Sequence, residues 1–236
     1  MGLYLLLMGV QGAGKGVQAA RIRDAYTLPH VSTGDLFRAM RTRDDALARK
    51  IQEIMKAGQL VSDEDTNAVL ADRLQQPDAA NGVIFDGYPR NIAQAEWLAN
   101  YLESRGERLA AVLMLELDLY TAFKRAFGRI TGADGSSYNI YFNSDGLDYA
   151  FVDHETREYP PKLVAKATAT GETLQRRPDD ASADAVLKRI DTYVESTRPL
   201  ADYYREKGLL VTVNADQSID QVWSDIQAAI ERARVR

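Results

Sequence analysis

A glycine-rich segment near the amino terminus has the composition of a phosphate-binding loop. Residues 9–17 read GVQGAGKGV and fit the pattern G-x-x-x-x-G-K. The glycines let backbone N–H groups converge on phosphate oxygens, and Lys15 supplies a mobile cation for the β- and γ-phosphates of a nucleotide. An apolar run precedes the loop and a helical pattern follows it, which is the setting that this motif requires. The segment therefore indicates nucleotide binding rather than an ordinary glycine-rich turn.

The composition leaves few other routes to catalysis. The 236 residues include no cysteine and only two histidines, His30 and His154, which excludes disulfides and cysteine nucleophiles and disfavours a zinc site. Lys and Arg number 29 against 34 Asp and Glu, and without a polybasic run we expect no nucleic-acid or membrane partner. The longest apolar run, residues 3–8, is too short to span a membrane, so we expect a cytoplasmic protein.

Apolar runs alternate with helical patterns along most of the chain. The runs at residues 3–8, 83–85, 110–115 and 209–213 have the length of buried strands, and residues 28–31 could add a short fifth strand. Apolar residues recur at helical spacing over residues 19–26, 91–104, 119–128, 183–207 and 219–234. This order predicts an α/β fold with a doubly wound, five-stranded parallel sheet.

Two segments interrupt the alternation. Residues 35–76 read as several helices without a strand, with Ser62 and Asp65 marking the start of one of them. Residues 130–170 combine glycines and prolines with short aromatic stretches, which indicates a small β-rich insert. We expect aromatic packing to hold this insert together, with the rings supplied by Tyr138, Tyr141, Phe142, Tyr149 and Phe151.

Motifs spread over the whole chain resemble those of the adenylate kinases, a family of nucleoside monophosphate kinases. Gly16 follows the lysine where most phosphate loops carry Ser or Thr. The other motifs are HVSTGDLFR (30–38), AGQLV (57–61), FDGYPR (85–90) followed by Gln94, and TGE (170–172) followed by RRPDD (176–180). The resemblance implies a monomeric phosphotransferase that interconverts ATP plus AMP and two ADP with Mg²⁺.

The resemblance also divides the chain. It implies a core of residues 1–31, 62–128 and 171–236, a nucleoside-monophosphate-binding insert of residues 32–61, and a lid of residues 129–170 that closes over ATP. The lid of some relatives holds zinc through four cysteines. The matching positions here are Thr131, Asp134, Ala167 and Thr170, which cannot supply four soft ligands, so we expect no zinc.

Site residues follow from the positions that match the family's motifs. The catalytic set would be Lys15, Asp86, Arg90, Arg125, Arg129, Arg177 and Arg189. ATP would contact Gly12, Ala13, Gly14, Lys15, Gly16, Val17, Arg125, Arg129, Ser137, Tyr138 and Gln217. AMP would contact Thr33, Arg38, Gln59, Leu60, Val61, Gly87, Tyr88, Pro89, Arg90, Gln94, Arg177 and Arg189.

The reasons for three of these assignments, and the alternatives to two of them, can be stated from the sequence. Asp86 ends a predicted buried strand and would orient Mg²⁺ through water, without direct ligation by protein, although it could instead cap a helix. The Gln94 amide matches the donor and acceptor edge of adenine, which favours AMP over a pyrimidine nucleotide. The segment leading to Arg189 is one residue longer than usual, which makes Lys188 a rival for its role.

Two departures from the family keep alternatives open. Val17 stands where the relatives usually carry Thr, and Gln11 stands where they carry Pro, so ATP binding could be weakened. One alternative is a kinase for UMP, CMP or GMP. Another is a nucleotide-binding homologue with little or no transferase activity. A P-loop GTPase or motor ATPase is disfavoured, because the chain lacks both the hydroxyl after the lysine and an N-K-x-D signature.

Overall fold

The computed structural model of the chain describes residues 2–57, 61–132, 136–153, 161–177, 180 and 182–235. Two compact units are defined by their internal contacts. The first contains Met1–Gly9, Gly14–Glu116 and Ser196–Arg236, and the second contains Val10–Ala13 and Leu117–Glu195. The core, insert and lid boundaries expected from the sequence follow a different division and stay predictions.

The described residues form strands and helices in both units. The strands in chain order are β1 (Tyr4–Gly9), β2 (His30–Ser32), β3 (Ile84–Asp86), β4 (Leu109–Glu116), β5 (Arg129–Thr131), β6 (Ser137–Asn139), β7 (Leu147–Val152), β8 (Lys162–Ala167) and β9 (Leu210–Asn214). The helices are α1 (Lys15–Tyr26), α2 (Thr33–Met40), α3 (Ala46–Lys56), α4 (Asp63–Leu74), α5 (Ile92–Glu103), α6 (Leu119–Phe127), α7 (Ala183–Thr192), α8 (Leu200–Glu206) and α9 (Ile219–Arg234).

Five of these strands form the sheet of the first unit. Their order is β2-β3-β1-β4-β9, and every neighbouring pair is parallel. The predicted α/β fold with a five-stranded parallel sheet is therefore confirmed. Strand β1 is buried along its whole length because it lies in the middle of the sheet, which explains the unbroken apolar run in the sequence.

The register of the sheet brings three strand ends to one edge. Asp86 of β3 lies opposite Leu7 of β1 on one side and opposite Ser32 of β2 on the other. The residues that follow these positions are consequently neighbours at the carboxyl edge of the sheet. This edge, where the chain turns from strands into helices, is the usual ligand site of an open α/β sheet.

Side-chain caps start most of the helices. Ser62 accepts a hydrogen bond from the backbone N–H of Asp65, as the sequence predicts, and Asn91 accepts one from Gln94. The predicted helix over residues 183–207 is wrong, because the chain forms α7, a π-helical stretch (Tyr193–Thr197) and α8. Pro199 supplies no N–H for a continuous helix and instead forms the N-cap of α8. In the described parts of the chain, none of the helices combines the length and apolarity needed to cross a membrane.

The β-rich segment of the second unit has an aliphatic core. Strands β5 and β6 pair antiparallel, as do β7 and β8. The buried cluster between them consists of Ile130, Ile140, Leu163, Ala165 and Leu174. The expected aromatic packing is wrong for four rings, since Tyr141, Phe142, Tyr149 and Phe151 are 42–52% exposed, while Tyr138 packs partly buried against the cluster. Two-stranded sheets enclose little volume, and small aliphatic side chains already fill it.

The packing of the first unit gives a test of the core. Ile84 in β3 is fully buried, so the change Ile84→Ala removes apolar contacts and leaves a cavity. We expect the free energy of unfolding in urea to fall by about 3 kcal/mol. Ile219→Ala is the matched control, because Ile219 is 53% exposed in the same unit and its loss should change stability by less than about 0.5 kcal/mol. Equal losses would contradict the described burial.

Candidate nucleotide-binding site

The glycine-rich loop joins β1 to α1 in the manner its sequence predicts. Gly14 is the N-cap of α1, with φ 90° and ψ 13° in the left-handed region that favours glycine. Gly14 makes no side-chain cap, and N–H groups at a helix N-terminus are suited to bind an anion. The Lys15 ammonium donates to the carbonyl of Gly9 at 2.6 Å. Gly16 and Val17 complete the first turn, and Val17 is 48% exposed.

Gly12 in the second unit could not be replaced without distortion. Its φ is +91°, and a Cβ placed there would lie 2.6 Å from the carbonyl oxygen of Ala122 in α6. The next residue, Ala13, is buried and donates its backbone N–H to Val10 at 3.1 Å. The loop backbone therefore lies directly against a helix backbone, and only glycine fits at this point.

A second group of site residues collects where β2 and β3 end. The Arg90 guanidinium donates from Nε to the Gly87 carbonyl at 2.9 Å and from Nη2 to the Thr33 hydroxyl at 3.0 Å. The Thr33 hydroxyl in turn donates to the Gly87 carbonyl at 3.3 Å. These contacts hold a cation at the carboxyl edge of the sheet, after the end of β3, which pairs with β1.

Gln94 lies in the first turn of α5, close to this arginine. Only 5% of Gln94 is exposed, and its side-chain oxygen accepts the backbone N–H of Arg90 at 2.8 Å. Its amide nitrogen donates to Asp63 in α4 at 2.6 Å. The amide is thus held in place, and each of its two polar atoms retains one further hydrogen-bonding position.

Tyr88 and Pro89, which follow Gly87, are buried. The bond from Tyr88 to Pro89 is a cis peptide. Tyr88 is 1% exposed, and its hydroxyl donates to Asn67 and to the carbonyl of Gln94. Burial is the main reason that the pKa of Tyr88 is raised, so this hydroxyl stays protonated and keeps its role as a donor.

Asp86 places a carboxylate at the same edge. It ends β3 with 16% of its side chain exposed, and its Oδ2 lies 3.2 Å from His30 Nε2. No group of three or more His, Asp or Glu side chains suited to hold a metal occurs among the described residues. The donor set at this position thus consists of one carboxylate, which fits an ion bound through water and phosphate oxygens better than a protein-caged ion.

The second unit contains two of the predicted arginines around one buried acid. Asp180 is fully buried and accepts from Arg129 Nε at 2.9 Å and Nη2 at 2.6 Å through its Oδ2. Its Oδ1 accepts from Arg189 Nη1 at 3.0 Å. Arg189, and not Lys188, is therefore the residue of α7 that joins Arg129. Lys188 lies exposed on the same helix.

Other predicted residues of this unit have different surroundings. The Arg125 guanidinium lies 5.7 Å from the centre of the Phe142 ring. Arg177 is exposed. Ser137 and Tyr138 lie on β6, paired with β5. The backbone N–H of Asp180 donates to the Arg177 carbonyl at 2.9 Å, which links Arg177 to the same buried acid.

The remaining predicted residues lie in the first unit or outside the described residues. Arg38 is paired with Asp35 at 2.6 Å, and 66% of its side chain is exposed. The Gln217 amide nitrogen donates to the Asn214 carbonyl at 2.8 Å and to Asp225 at 3.0 Å. Val61 is half-buried ahead of α4. Gln59, Leu60, Asp134 and His154 lie outside the described residues.

Several partners of the predicted residues are absent from the set predicted as site residues. Asp63, Asn91 and Asp180 are among them, and they bind Gln94 or the arginines of the second unit. Asp180 does belong to the RRPDD motif, and an acid beside two arginines in the sequence is a usable signal. Asp63 has no such signal, because it lies 31 positions from its partner Gln94.

A parallel sheet with a phosphate loop after its central strand, and cations at the same edge, defines a P-loop phosphotransferase. The sequence model of the family described as adenylate kinase matches residues 7–209. Adenylate kinase of Moorella thermoacetica is 40% identical over 231 residues, which cover 98% of this chain and 99% of the relative. Adenylate kinase of Clostridioides difficile is 38% identical over 97% of this chain and 98% of the relative.

The similarity extends to other bacteria at the same level. Adenylate kinase of Listeria monocytogenes serotype 4b is 39% identical over 226 residues, covering 95% of this chain and 97% of the relative. The chain belongs to the adenylate kinase family, and it is a phosphotransferase. The resemblance expected from the motifs is confirmed.

The close contact at Gly12 gives a test of the loop. Gly12→Ala adds a Cβ against a helix carbonyl and also requires a left-handed backbone that alanine avoids. We expect a loss of about 3 kcal/mol in the free energy of unfolding, measured in urea. For Gly16→Ala, no atom lies within 4 Å of the added Cβ, so stability should change by less than about 1 kcal/mol. Similar losses in both variants would show that the contact with α6 is not the constraint.

The buried acid gives a second test. Asp180→Asn removes the negative charge that lies between two guanidinium groups, and we expect stability to fall by about 3 kcal/mol in a urea titration. Asp184→Asn removes the same charge from an exposed position in the first turn of α7 and should cost less than about 1 kcal/mol. A variant at Asp180 as stable as the parent would mean that the two arginines do not depend on this carboxylate.

Proposed function

We propose that this chain transfers the terminal phosphoryl group of ATP to AMP and forms two molecules of ADP, and that the reaction is reversible. The observation that carries the proposal is the direct pairing of β1 with β3. It supports the proposal because β1 and β3 end at the same edge of the sheet, and Lys15 and Arg90, which follow these strands in the chain, would each bind one set of phosphates. Two phosphate-binding elements on adjacent strand ends are what a transfer between two nucleotides requires.

The donor nucleotide is assigned to the loop between β1 and α1. The helix N-terminus and the Lys15 ammonium supply positive charge to the β- and γ-phosphates of ATP. Lys15 is already bonded to the Gly9 carbonyl, which keeps its charge at the end of β1. In the second unit we assign Arg125, Arg129, Arg177 and Arg189 to the ATP phosphates and the group in transfer, because they match the family's arginines.

The acceptor nucleotide is assigned to the group around Arg90. Its guanidinium would bind the AMP phosphate together with Arg38, because a planar guanidinium can donate to two phosphate oxygens at once. Gln94 would bind the adenine, with Thr33 and the backbone from Gly87 to Pro89 forming the surroundings of the nucleoside. The Gln94 amide can pair with the amino group and a ring nitrogen of adenine, which is the basis for preferring AMP to UMP or CMP.

Mg²⁺ is assigned to this reaction with ATP. Asp86 would hold its water shell in place, since the carboxylate lies at the strand edge and is only slightly exposed. When bound, the ion neutralises charge on the β- and γ-phosphates. The positions that match the zinc ligands of some relatives include Thr131, Ala167 and Thr170, whose side chains are poor ligands for zinc. We therefore predict that this chain binds no zinc.

The chemistry needs no group of the protein to form a covalent bond. An oxygen of the AMP phosphate attacks the γ-phosphorus of ATP, the new P–O bond forms, and the bond from this phosphorus to the bridging oxygen breaks in line. ADP leaves with the electron pair, and the second ADP is the phosphorylated AMP. Arg90 and Lys15 stabilise the charge that the transferring oxygens carry and orient the two nucleotides. The enzyme would act as a monomer in the cytoplasm.

A coupled assay of ADP formation tests the proposal. The parent protein should form ADP from ATP, Mg²⁺ and AMP, and should prefer AMP to UMP, CMP and GMP. Lys15→Ala and Arg90→Ala each remove a cation from the phosphates, and we expect kcat to fall by roughly 10³-fold. Circular dichroism should show that both variants remain folded.

The control removes a cation that the proposal does not use. Arg108 is exposed at the amino end of β4, the opposite edge of the sheet, so Arg108→Ala should keep the parent kcat within about twofold. Binding of ATP without ADP formation in the parent would instead support a nucleotide-binding homologue. A preferred acceptor other than AMP would support the alternative of a kinase for UMP, CMP or GMP.

A further inference from the structure

The side-chain amide of Gln94 lies between two groups with opposite and fixed hydrogen-bonding roles. The backbone N–H of Arg90 can only donate, and it lies 2.8 Å from Oε1. The carboxylate of Asp63 can only accept, and its Oδ1 lies 2.6 Å from Nε2. Rotating the amide by 180° would place oxygen against oxygen and N–H against N–H, and both hydrogen bonds would be lost. The amide therefore has one favourable orientation.

Asp63 is itself held by a group whose orientation is fixed. The backbone N–H of Gln94 donates to Asn91 Oδ1 at 2.9 Å, so the amide nitrogen of Asn91 must face the other way. It faces Asp63 and donates to Oδ2 at 2.9 Å. Both carboxylate oxygens are thus bound, one by Asn91 and one by Gln94. At each end of this network the partner is a backbone N–H group: that of Arg90 donates to Gln94, and that of Gln94 donates to Asn91. A backbone N–H can only donate, so it fixes the orientation of the amide that it binds.

The orientation of this amide matters for the choice of purine. After its two internal bonds, Gln94 retains one lone pair on Oε1 and one hydrogen on Nε2. Adenine presents an amino donor next to a ring nitrogen acceptor, which pairs with this arrangement. A 6-oxopurine presents a carbonyl acceptor next to a ring N–H donor, and it would pair only with the rotated amide.

We propose that Asp63 is a specificity-determining positioning residue, which holds the Gln94 amide in the orientation that accepts adenine and rejects 6-oxopurines. The inference rests on the proposed function, because it requires Gln94 to bind the base of the acceptor nucleotide. Asp63 acts through Gln94 and need not touch the nucleotide. The exposed position of Asp63 at the start of α4 means that its replacement leaves the packed core intact.

The variant Asp63→Asn tests this role. Asn91 would donate to the oxygen of the new amide, which turns the new NH₂ group toward Gln94. The bond from Gln94 Nε2 is then lost, so the rotated amide of Gln94 competes with the original orientation, which keeps only the bond from the Arg90 N–H. We expect kcat/KM for AMP to fall relative to that for IMP, so that their ratio drops at least about tenfold. The effect should lie in KM, and the dissociation constants of AMP and IMP measured by calorimetry should shift in the same directions.

Two controls separate positioning from a general structural effect. Glu64→Gln removes the same charge from the neighbouring exposed position in the first turn of α4, and the AMP to IMP ratio should stay at the parent value. Asp63→Asn introduced into a Gln94→Ala background should also leave the ratio of that background unchanged, because the group being positioned is absent. Asp63→Ala, which removes the acceptor without adding a donor, should lower the ratio in the same direction but less.

The possible results distinguish this inference from the proposed function. If the parent forms no ADP from ATP and AMP, the proposed function fails and this role fails with it. If the parent uses AMP but folded Asp63→Asn and Asp63→Ala keep the parent ratio within twofold, only the positioning role is overturned. A ratio that falls equally with Glu64→Gln would also overturn it, since charge rather than the hydrogen bond would then be responsible.

Discussion

The parallel pairing of β1 with β3 is the constraint on which the nucleotide site depends. Leu7 and Asp86 lie side by side in this pair, so the loop after β1 and the turn after β3 begin at the same edge of the sheet. Both strands are buried, and Leu5, Leu6 and Leu7 of β1 pair in register with Ile84, Phe85 and Asp86 of β3. This pairing, rather than any contact in the site, sets how close together the carboxyl ends of the two strands lie.

Hydrogen bonds to defined acceptors orient the cations of the candidate site. Lys15 donates to the Gly9 carbonyl, and Arg90 donates to the Gly87 carbonyl and the Thr33 hydroxyl. In the second unit, Arg129 and Arg189 share the buried carboxylate of Asp180, which cancels part of their charge and holds two guanidinium groups together against their repulsion. A shared acid can thus keep two cations side by side.

The sequence was sufficient wherever the deciding interactions are local. The loop from Gly9 to Val17, the cap at Ser62 and the five strands follow from spacing, glycine content and apolar runs, all within a short stretch of chain. The helix predicted over residues 183–207 failed because periodicity does not register the missing N–H of Pro199. The aromatic side chains of the β-rich segment were placed inside by hydrophobicity alone, whereas the volume that two-stranded sheets enclose decides which side chains fit. Asp180 and Asp63 depend on contacts between separate elements, which a single sequence does not specify.

The network around Gln94 shows why such contacts carry specificity that the motif alone cannot. A glutamine offers a donor and an acceptor that exchange places by rotation, so its presence in a motif says only that some purine edge can be bound. The orientation of the Gln94 amide is set by one neighbour that can only donate a hydrogen bond, the backbone N–H of Arg90, and by one that can only accept, the carboxylate of Asp63. The first of these belongs to the same turn and the second to another helix, α4, which contacts α5. If Gln94 binds the base as proposed, specificity at this position is a property of tertiary structure, although the glutamine itself is visible in the sequence.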